Sequence, residues 1–277
     1  VNHMSINQYN NFSFMEELFY SHMPIDDIDS DFVINYPTNK RVLDHAKGII
    51  VHSENSKKLA DGWYGDGFSK GWSVIPLLRV PSEKQSTQAV REKLNIPKDA
   101  FVISSFGLLG PTKQNQKLLD AWLASSLSKD KSSYLIFVGE NDPREYGKII
   151  EDTIKKSNHT SQIKITGWAD TDIYRNYLSA SDLGVQLRTM SRGETSASVL
   201  DCMNYSLATI VNANGSMADL DDEAILKIPD EFTQEELIEA LEKLYINDEK
   251  RKELGKKAKE IILKNHTPNK CAREYFE

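Results

Sequence analysis

The chain is poor in cysteine and contains no long apolar run, and both absences exclude classes of protein. Cys202 and Cys271 are the only cysteines among 277 residues, and they lack zinc-motif spacing, so we expect neither a disulfide framework nor a cysteine zinc site. No apolar stretch approaches the ~20 residues that cross a bilayer, and the first residues lack the pattern of a secretion signal. These features predict a cytoplasmic protein.

An excess of basic residues is also missing. The chain has 34 Lys and Arg against 41 Asp and Glu, which gives a formal net charge of -7. Such a chain has no overall attraction to nucleic acid or anionic lipid, so we expect no nucleic-acid partner and expect any bound phosphate to be held by local groups. The 6 histidines show no metal-ligand spacing, and Asp27, Asp29 and Asp31 lack the glycine and glutamate of a calcium loop. We therefore expect no metal and no other cofactor.

Short, β-branched apolar runs alternate with amphipathic stretches along most of the chain. The runs predict strands at residues 48–53, 72–76, 101–107, 134–139, 162–167, 183–188 and 208–213. The amphipathic stretches predict helices at residues 114–126, 146–157, 172–180, 195–205 and 233–245, followed by two charged helices separated near Pro268. This alternation indicates an α/β fold, namely a Rossmann-like parallel sheet with helices on both faces.

A change of composition at residues 76–88 predicts a linker. We expect a partial N-terminal region over residues 1–77, a Rossmann-like domain over residues 78–266, and a C-terminal helix over residues 267–277. The polar, irregular stretch before about Asn39 is expected to form loops and short elements.

In an open α/β sheet, ligands bind beyond the carboxyl ends of the strands, so the loops at those ends are the candidate site. The loop FGLLGPTK, residues 106–113, has two glycines that let its backbone approach a ligand. Lys113 stands at a helix start, where a cation can meet a phosphate. The competing interpretation is a glycine turn with a surface lysine, and this loop alone favours it.

A second loop, residues 186–196, leads into a predicted helix. Thr195 or Ser196 can cap that helix, so that its free N–H groups and positive dipole end face the crevice. Arg188 or Arg192 would then meet the oxygens of a diphosphate. Asp201, roughly 9 Å along the helix axis from the cap, would reach a ribose. The alternative is a structural charge network in which the two arginines pair with Glu194 and Asp201.

Two further loops follow strands. Trp168 is a candidate for lining a nucleobase slot, although a tryptophan is more often part of a core. Asp170 and Asp172 have a spacing seen in metal sites, but we interpret them as a helix cap. Residues 212–216 offer small polar groups near the same crevice, or else form a simple turn.

Taken in order, FGLLGPTK, LIFVGE, ITGW and RGETSASVLDCMNYSLATIVNANGS resemble the donor-binding half of group 1 glycosyltransferases of the GT-B fold. The resemblance extends from about Ala46 to the C-terminus. It implies that the C-terminal helix, residues 267–277, packs back toward the N-terminal region. It implies transfer of a sugar, of hexosyl type, from a nucleotide-diphosphate donor to a glycan or lipid-linked acceptor, with retention and without an essential metal. It also implies a cytoplasmic enzyme that can associate peripherally with the inner face of a membrane.

The resemblance also implies roles for residues of this sequence. The donor-binding residues are Gly107, Lys113, Trp168, Arg188, Arg192, Thr195, Ser196 and Asp201, with Asp201 on the ribose and Trp168 at the base. The catalytic residues are Glu194, Arg192 and Lys113, with Glu194 touching the sugar or positioning Arg192.

The sequence departs from the family pattern at two positions. Leu108 stands where the family has an arginine, and Gly193 stands where it has its first glutamate, so that Glu194 is displaced by one residue. Two alternatives therefore stay open, a nucleotide-sugar-binding module without turnover and a GT-B-like sugar-nucleotide epimerase. A phosphorylase would need a lysine for pyridoxal phosphate, and no compelling one is present.

Overall fold

The computed structural model describes residues 39–83 and 86–277. The loops expected before Asn39, with Asp27, Asp29 and Asp31, lie outside the described residues. The chain divides into two compact units. The first contains Arg192–Glu194 together with the described residues up to Pro76, and the second contains Leu77–Ser191 and Thr195–Glu277.

The described part of the first unit contains two short strands and two helices. Strand β1 (Ile50–Val51) pairs in parallel with β2 (Ser73–Val74), so both predicted strands form but are shorter than predicted. Helix α1 is Lys40–His45 and helix α2 is Glu54–Tyr64. The Ser53 side chain caps α2 by accepting a hydrogen bond from the Ser56 N–H, because the first N–H groups of a helix lack partners within it.

The second unit is built on a six-stranded sheet in which every pairing is parallel. Its strands are β3 (Phe101–Phe106), β4 (Ser133–Val138), β5 (Ile163–Ile165), β6 (Leu183–Gln186), β7 (Thr209–Asn212) and β8 (Leu226–Ile228). Their order across the sheet is β5-β4-β3-β6-β7-β8. The predicted α/β fold with a parallel sheet is confirmed.

Both faces of the central strands are buried. Along β3, Ile103 belongs to one hydrophobic cluster and Val102 to another. Leu135 and Ile136 of β4 are divided in the same way. Since successive side chains of a strand point to opposite faces, helices must cover both sides, as in other parallel sheets.

Eight helices of the described chain belong to the second unit. They are α3 (Thr87–Lys93), α4 (Asn115–Ala124), α5 (Glu145–Lys156), α6 (Thr171–Ala180), α7 (Ala197–Asn204), α8 (Gln234–Ile246), α9 (Asp248–Asn265) and α10 (Pro268–Phe276). Helix α6 packs on α3, α8 on α4, and α9 on α7. The predicted break near Pro268 is confirmed, since α9 ends at Asn265 and α10 begins at Pro268.

Capping side chains fix several helix starts. The Asp170 carboxylate accepts from the N–H groups of Asp172 and Ile173 at 3.0 and 2.8 Å, which confirms the interpretation of Asp170 as a cap. Thr233 and Glu236 form a reciprocal capping box at the start of α8.

Candidate functional site at the switch point of the sheet

The chain reverses its direction of travel across the sheet between β3 and β6. From β3 it proceeds outward through β4 to β5, and then returns to β6 on the other side of β3 before continuing to β7 and β8. Loops that leave adjacent strands in opposite directions open a crevice at their carboxyl ends, where ligands of α/β proteins bind. The loops at this point are residues 107–114 and 187–191, which contain Lys113 and Arg188 of the predicted diphosphate contacts.

Lys113 folds back over the end of β3. Its ammonium donates to the Phe106 carbonyl oxygen at 3.2 Å. Gly107 makes this possible, because it has a φ of +107° and a Cβ at that position would overlap Lys113 Nζ. Burial, together with the charge of Arg188, lowers the pKa of the Lys113 ammonium to about 8. The two cations are therefore close enough to repel each other at the switch point.

The backbone of Arg188 is fixed by two buried amides. Its N–H donates to Asn212 Oδ1 at 2.8 Å, and its carbonyl oxygen accepts from Asn212 Nδ2 at 2.6 Å. The same oxygen accepts from Gln114 Nε2 at 2.7 Å. Gln114 directly follows Lys113, so this hydrogen bond links the loop of Lys113 to the backbone of Arg188. Asn212 is thus part of the support of the site and not a simple turn residue.

Helix α7 begins beside this pair of loops. Ser196 is its cap, with its hydroxyl accepting from the Val199 N–H, so the prediction that Thr195 or Ser196 caps the helix is confirmed for Ser196. The helix begins at Ala197, two residues later than predicted. Its first N–H groups supply partial positive charge at the carboxyl edge of the sheet.

Asp201 lies farther along α7 and already has partners. Its Oδ1 is 2.8 Å from Arg79 Nε, and its Oδ2 accepts from the Tyr174 hydroxyl at 3.2 Å. The alternative network from the sequence had Asp201 paired with Arg188 or Arg192; the ion pair observed is with Arg79. Asp201 also lines a cavity of about 570 Å³ bounded by residues 78–83 and by α6 and α7.

Burial raises the pKa of the Asp201 carboxyl, and the charge of Arg79 opposes that shift. The same surroundings raise the pKa of the Tyr174 hydroxyl, chiefly through burial. Tyr174 therefore acts as a neutral hydrogen-bond donor to Asp201.

Trp168 follows β5 and is largely exposed, with 76% of its surface accessible. Its interpretation as a core tryptophan is therefore wrong. Leu108, at the position where the resemblance places an arginine, is also exposed. A large apolar ring on the surface is available for stacking.

Two other predicted site residues, Arg192 and Glu194, belong to the first unit, and so does Gly193 between them. The Gly193 carbonyl oxygen accepts from the hydroxyls of Ser53 and Ser56 at 3.0 and 2.5 Å. Gly193 has a φ of +94°, and a Cβ there would lie 3.0 Å from Ser56 Cα, which explains why a glycine stands at this position. The Glu194 carboxylate accepts from the Arg192 N–H at 2.7 Å.

Three supporting residues escaped the sequence reasoning, namely Arg79, Gln114 and Tyr174. Arg79 lies in the predicted linker, and nothing local marks it as a partner of α7. Gln114 follows Lys113 directly and has a φ of +50°, but a left-handed glutamine leaves no signal in the sequence. Tyr174 occupies an inward position of α6, where an aromatic residue reads as core.

Groups of three or more potential metal ligands are absent from the residues that the structure describes. Within the same residues, none of the helices has the length and apolar character required to cross a membrane. Both cysteines are buried.

Residues 86–261 match the family model described as glycosyl transferases group 1, which is more than half of the chain. Comparison with solved structures finds HepE of Anabaena in complex with UDP, with a TM-score of 0.76, 15% identity, and coverage of 97% of this chain and 75% of that one. The C-terminal domain of the group 1 glycosyl transferase LpcC from Francisella tularensis has a TM-score of 0.60 and 21% identity, covering 68% and 96%. WaaG, a glycosyltransferase involved in lipopolysaccharide biosynthesis, has a TM-score of 0.69 and 16% identity, covering 94% and 70%. A comparison with curated proteins found no match.

Proposed function

Because the chain belongs to the group 1 glycosyl transferases, we propose that it transfers a hexosyl group from a nucleoside diphosphate sugar to a glycan or lipid-linked acceptor. The structural likeness to HepE and WaaG shows the GT-B fold. The donor and acceptor classes are inferences, supported by the UDP bound to HepE and by the role of WaaG in lipopolysaccharide biosynthesis. We infer that the enzyme acts in the cytoplasm, at the inner face of the membrane when its acceptor is lipid-linked.

The observation that carries this proposal is that Lys113 and Arg188 lie close together at the switch point, and that helix α7 begins at the end of the loop that contains Arg188. Cleavage of the bond between sugar and phosphate develops negative charge on the departing diphosphate. Two cations and the positive end of a helix at that place stabilise this charge in the transition state. The positive charge that a metal supplies in other transferases is here supplied by protein groups, so we propose a metal-independent reaction.

Asp201 and Trp168 extend the proposed site toward the nucleoside. A carboxylate accepts hydrogen bonds from both hydroxyls of a ribose, and an exposed indole offers a stacking face for a base. Asp201 lines a cavity large enough for part of a nucleotide, which supports this placement. The roles of Arg192 and Glu194 stay predictions; the hydrogen bond from the Arg192 N–H to Glu194 supports a role of Glu194 in positioning Arg192.

A thermal-shift screen with UDP, GDP, ADP and their common sugars tests the proposal. A ligand that binds only the native state raises the melting temperature, so we expect one nucleotide diphosphate and its sugar to stabilise the protein. The sugar nucleotide that binds is then incubated with the protein and an acceptor, with and without a chelator. Release of nucleotide diphosphate that a chelator leaves unchanged, and a product that keeps the anomeric configuration of the donor, are the expected results.

Asp201→Ala tests the assignment of the ribose. We expect nucleotide affinity to fall by roughly 1–3 kcal/mol, as for loss of a charged hydrogen-bond partner, in titration calorimetry. Asp182→Asn is a matched control, because Asp182 is another partly buried carboxylate paired with an arginine, Arg91, away from the cavity. Unchanged affinity of Asp201→Ala would contradict the assignment. Binding without hydrolysis or transfer would instead favour a binding module, and interconversion of the donor sugar without an acceptor would favour an epimerase.

A further inference from the structure

Arg79 is held in place by the backbone around it. Its Nη1 donates to the Leu78 carbonyl oxygen at 2.7 Å, and its Nη2 donates to the carbonyl oxygen of Ala197, the first residue of α7, at 2.9 Å. Its own N–H donates to the His266 carbonyl oxygen at 2.6 Å. The side chain is only 14% exposed. A guanidinium with this many hydrogen-bonding and ionic contacts has a defined position and is not a mobile surface group.

The contact between Arg79 and Asp201 is ionic. Arg79 Nε lies 2.8 Å from Asp201 Oδ1, which is the distance of a close ion pair. The carboxylate remains 26% exposed and lines the cavity, so a ligand there reaches it while the ion pair persists.

Asp201 needs this charge because it is largely buried. The titratable or charged groups that face it are Arg79 from residues 78–83, Tyr174 and Arg175 from α6, and Cys202 and Tyr205 from the region of α7. Burial raises the pKa of the Asp201 carboxyl, and Arg79 is the largest influence that opposes the shift. Without Arg79, the carboxyl would gain a proton at higher pH, and a protonated carboxyl accepts fewer hydrogen bonds from hydroxyl groups.

We propose that Arg79 is a positioning residue for donor binding, which holds the Asp201 carboxylate in the orientation and charge state that receive the ribose hydroxyls. This inference rests on the proposed function, since it assigns the support of the proposed ribose contact. In this proposal the segment of residues 78–83 contributes to the donor site through the ion pair between Arg79 and Asp201. The same side chain also donates a hydrogen bond to the carbonyl oxygen of Ala197 at the start of α7. Arg79 therefore contacts both the proposed ribose-binding residue, Asp201, and the first residue of the helix proposed to face the diphosphate.

The test compares the native chain with Arg79→Met, which keeps an unbranched apolar stem without the guanidinium, and Arg79→Lys, which keeps the charge. UDP, GDP and ADP are the probes, and their affinities are measured by calorimetry from about pH 6 to about pH 8, a window in which an unperturbed aspartate stays ionised. For the nucleotide that binds, we expect Arg79→Met to weaken affinity by roughly tenfold at pH 8 and further as the pH falls. We expect Arg79→Lys to recover most of the affinity and the pH profile of the native chain.

A second measurement separates this inference from the proposed function. The pKa of the Asp201 carboxyl is followed by carbon NMR of protein labelled at aspartate, with Asp201→Asn to assign the signal. We expect the pKa to rise in Arg79→Met and to return toward the native value in Arg79→Lys, whether or not a nucleotide binds. An unchanged pKa, or an equal loss of affinity at all pH values without recovery in Arg79→Lys, would overturn the inference. Failure of the native chain to bind any nucleotide, with the pKa rising as expected, would instead contradict the proposed function.

Discussion

Donor binding should depend on the protonation of Lys113. Its pKa is lowered to about 8 by burial and by Arg188, and a lysine carries its charge only below its pKa. About nine-tenths of the protein is therefore charged at Lys113 at pH 7 and about one-tenth at pH 9. The oxygens of a nucleoside diphosphate are ionised throughout this range, and Arg188 keeps its charge. We expect affinity for the diphosphate to fall about tenfold between these pH values.

Titration calorimetry with UDP on the native chain and on Lys113→Arg measures this effect. The arginine variant keeps its charge across the range, so its affinity should lack the decrease. Lys113→Met should bind about 10- to 100-fold more weakly at pH 7, as expected for loss of a charged hydrogen bond. Lys156→Met, which removes an exposed lysine in the last turn of α5, is the matched control and should behave as the native chain.

Two results would refute the reasoning. One is an affinity of the native chain that stays constant from pH 7 to pH 9. The other is an equal decrease in Lys113→Arg, which would assign the dependence to another group or to the base of the nucleotide. Repeating the titration in buffers of different ionisation enthalpy counts the protons taken up, and uptake at pH 9 should disappear in Lys113→Arg.

Two further predictions concern the framework of the site. A Cβ on Gly139 would overlap the backbone carbonyl of Gly107. Gly139→Ala should therefore displace the loop that positions Lys113, weaken nucleotide affinity, and lower the free energy of unfolding by about 1–3 kcal/mol. A Cβ on Gly110 meets no atom within 4 Å, so Gly110→Ala should leave the free energy of unfolding unchanged, and an equal loss of stability in the two variants would contradict the close approach. Asp170→Ala removes the cap of α6 and should lower the free energy of unfolding by about 1 kcal/mol in chemical denaturation, whereas an effect no larger than that of Asp172→Ala would show that the cap contributes little.

The strands that sequence predicted best are those buried on both faces. Residues 101–107 and 134–139 show short, largely apolar runs because helices cover both sides of the sheet, and β3 and β4 form there. Strand β8 was not predicted, since it has only three residues, is partly exposed and lies at the edge of the sheet. Helices α2 and α3 were also missed; α2 buries only Ala60, and α3 has only seven residues.

The residues of the candidate site also fall into two groups, those that the local sequence identifies and those that it does not. Lys113 and Arg188 were found because each follows a buried strand, and the carboxyl ends of adjacent parallel strands meet at one edge. Arg79 was not found because its contacts are long-range; Ala197, which accepts its hydrogen bond, lies 118 residues away in the chain. Local patterns identify the loops of a site, whereas the groups that orient its side chains depend on the tertiary packing.

A crystal structure of the chain with UDP bound tests the central claim most directly. The account predicts diphosphate oxygens within hydrogen-bonding distance of Lys113 Nζ, of the Arg188 guanidinium and of backbone N–H groups at the start of α7, with the ribose hydroxyls on Asp201. A diphosphate bound away from the carboxyl ends of β3 and β6, or a ribose that leaves Asp201 in contact only with Arg79 and Tyr174, would contradict it.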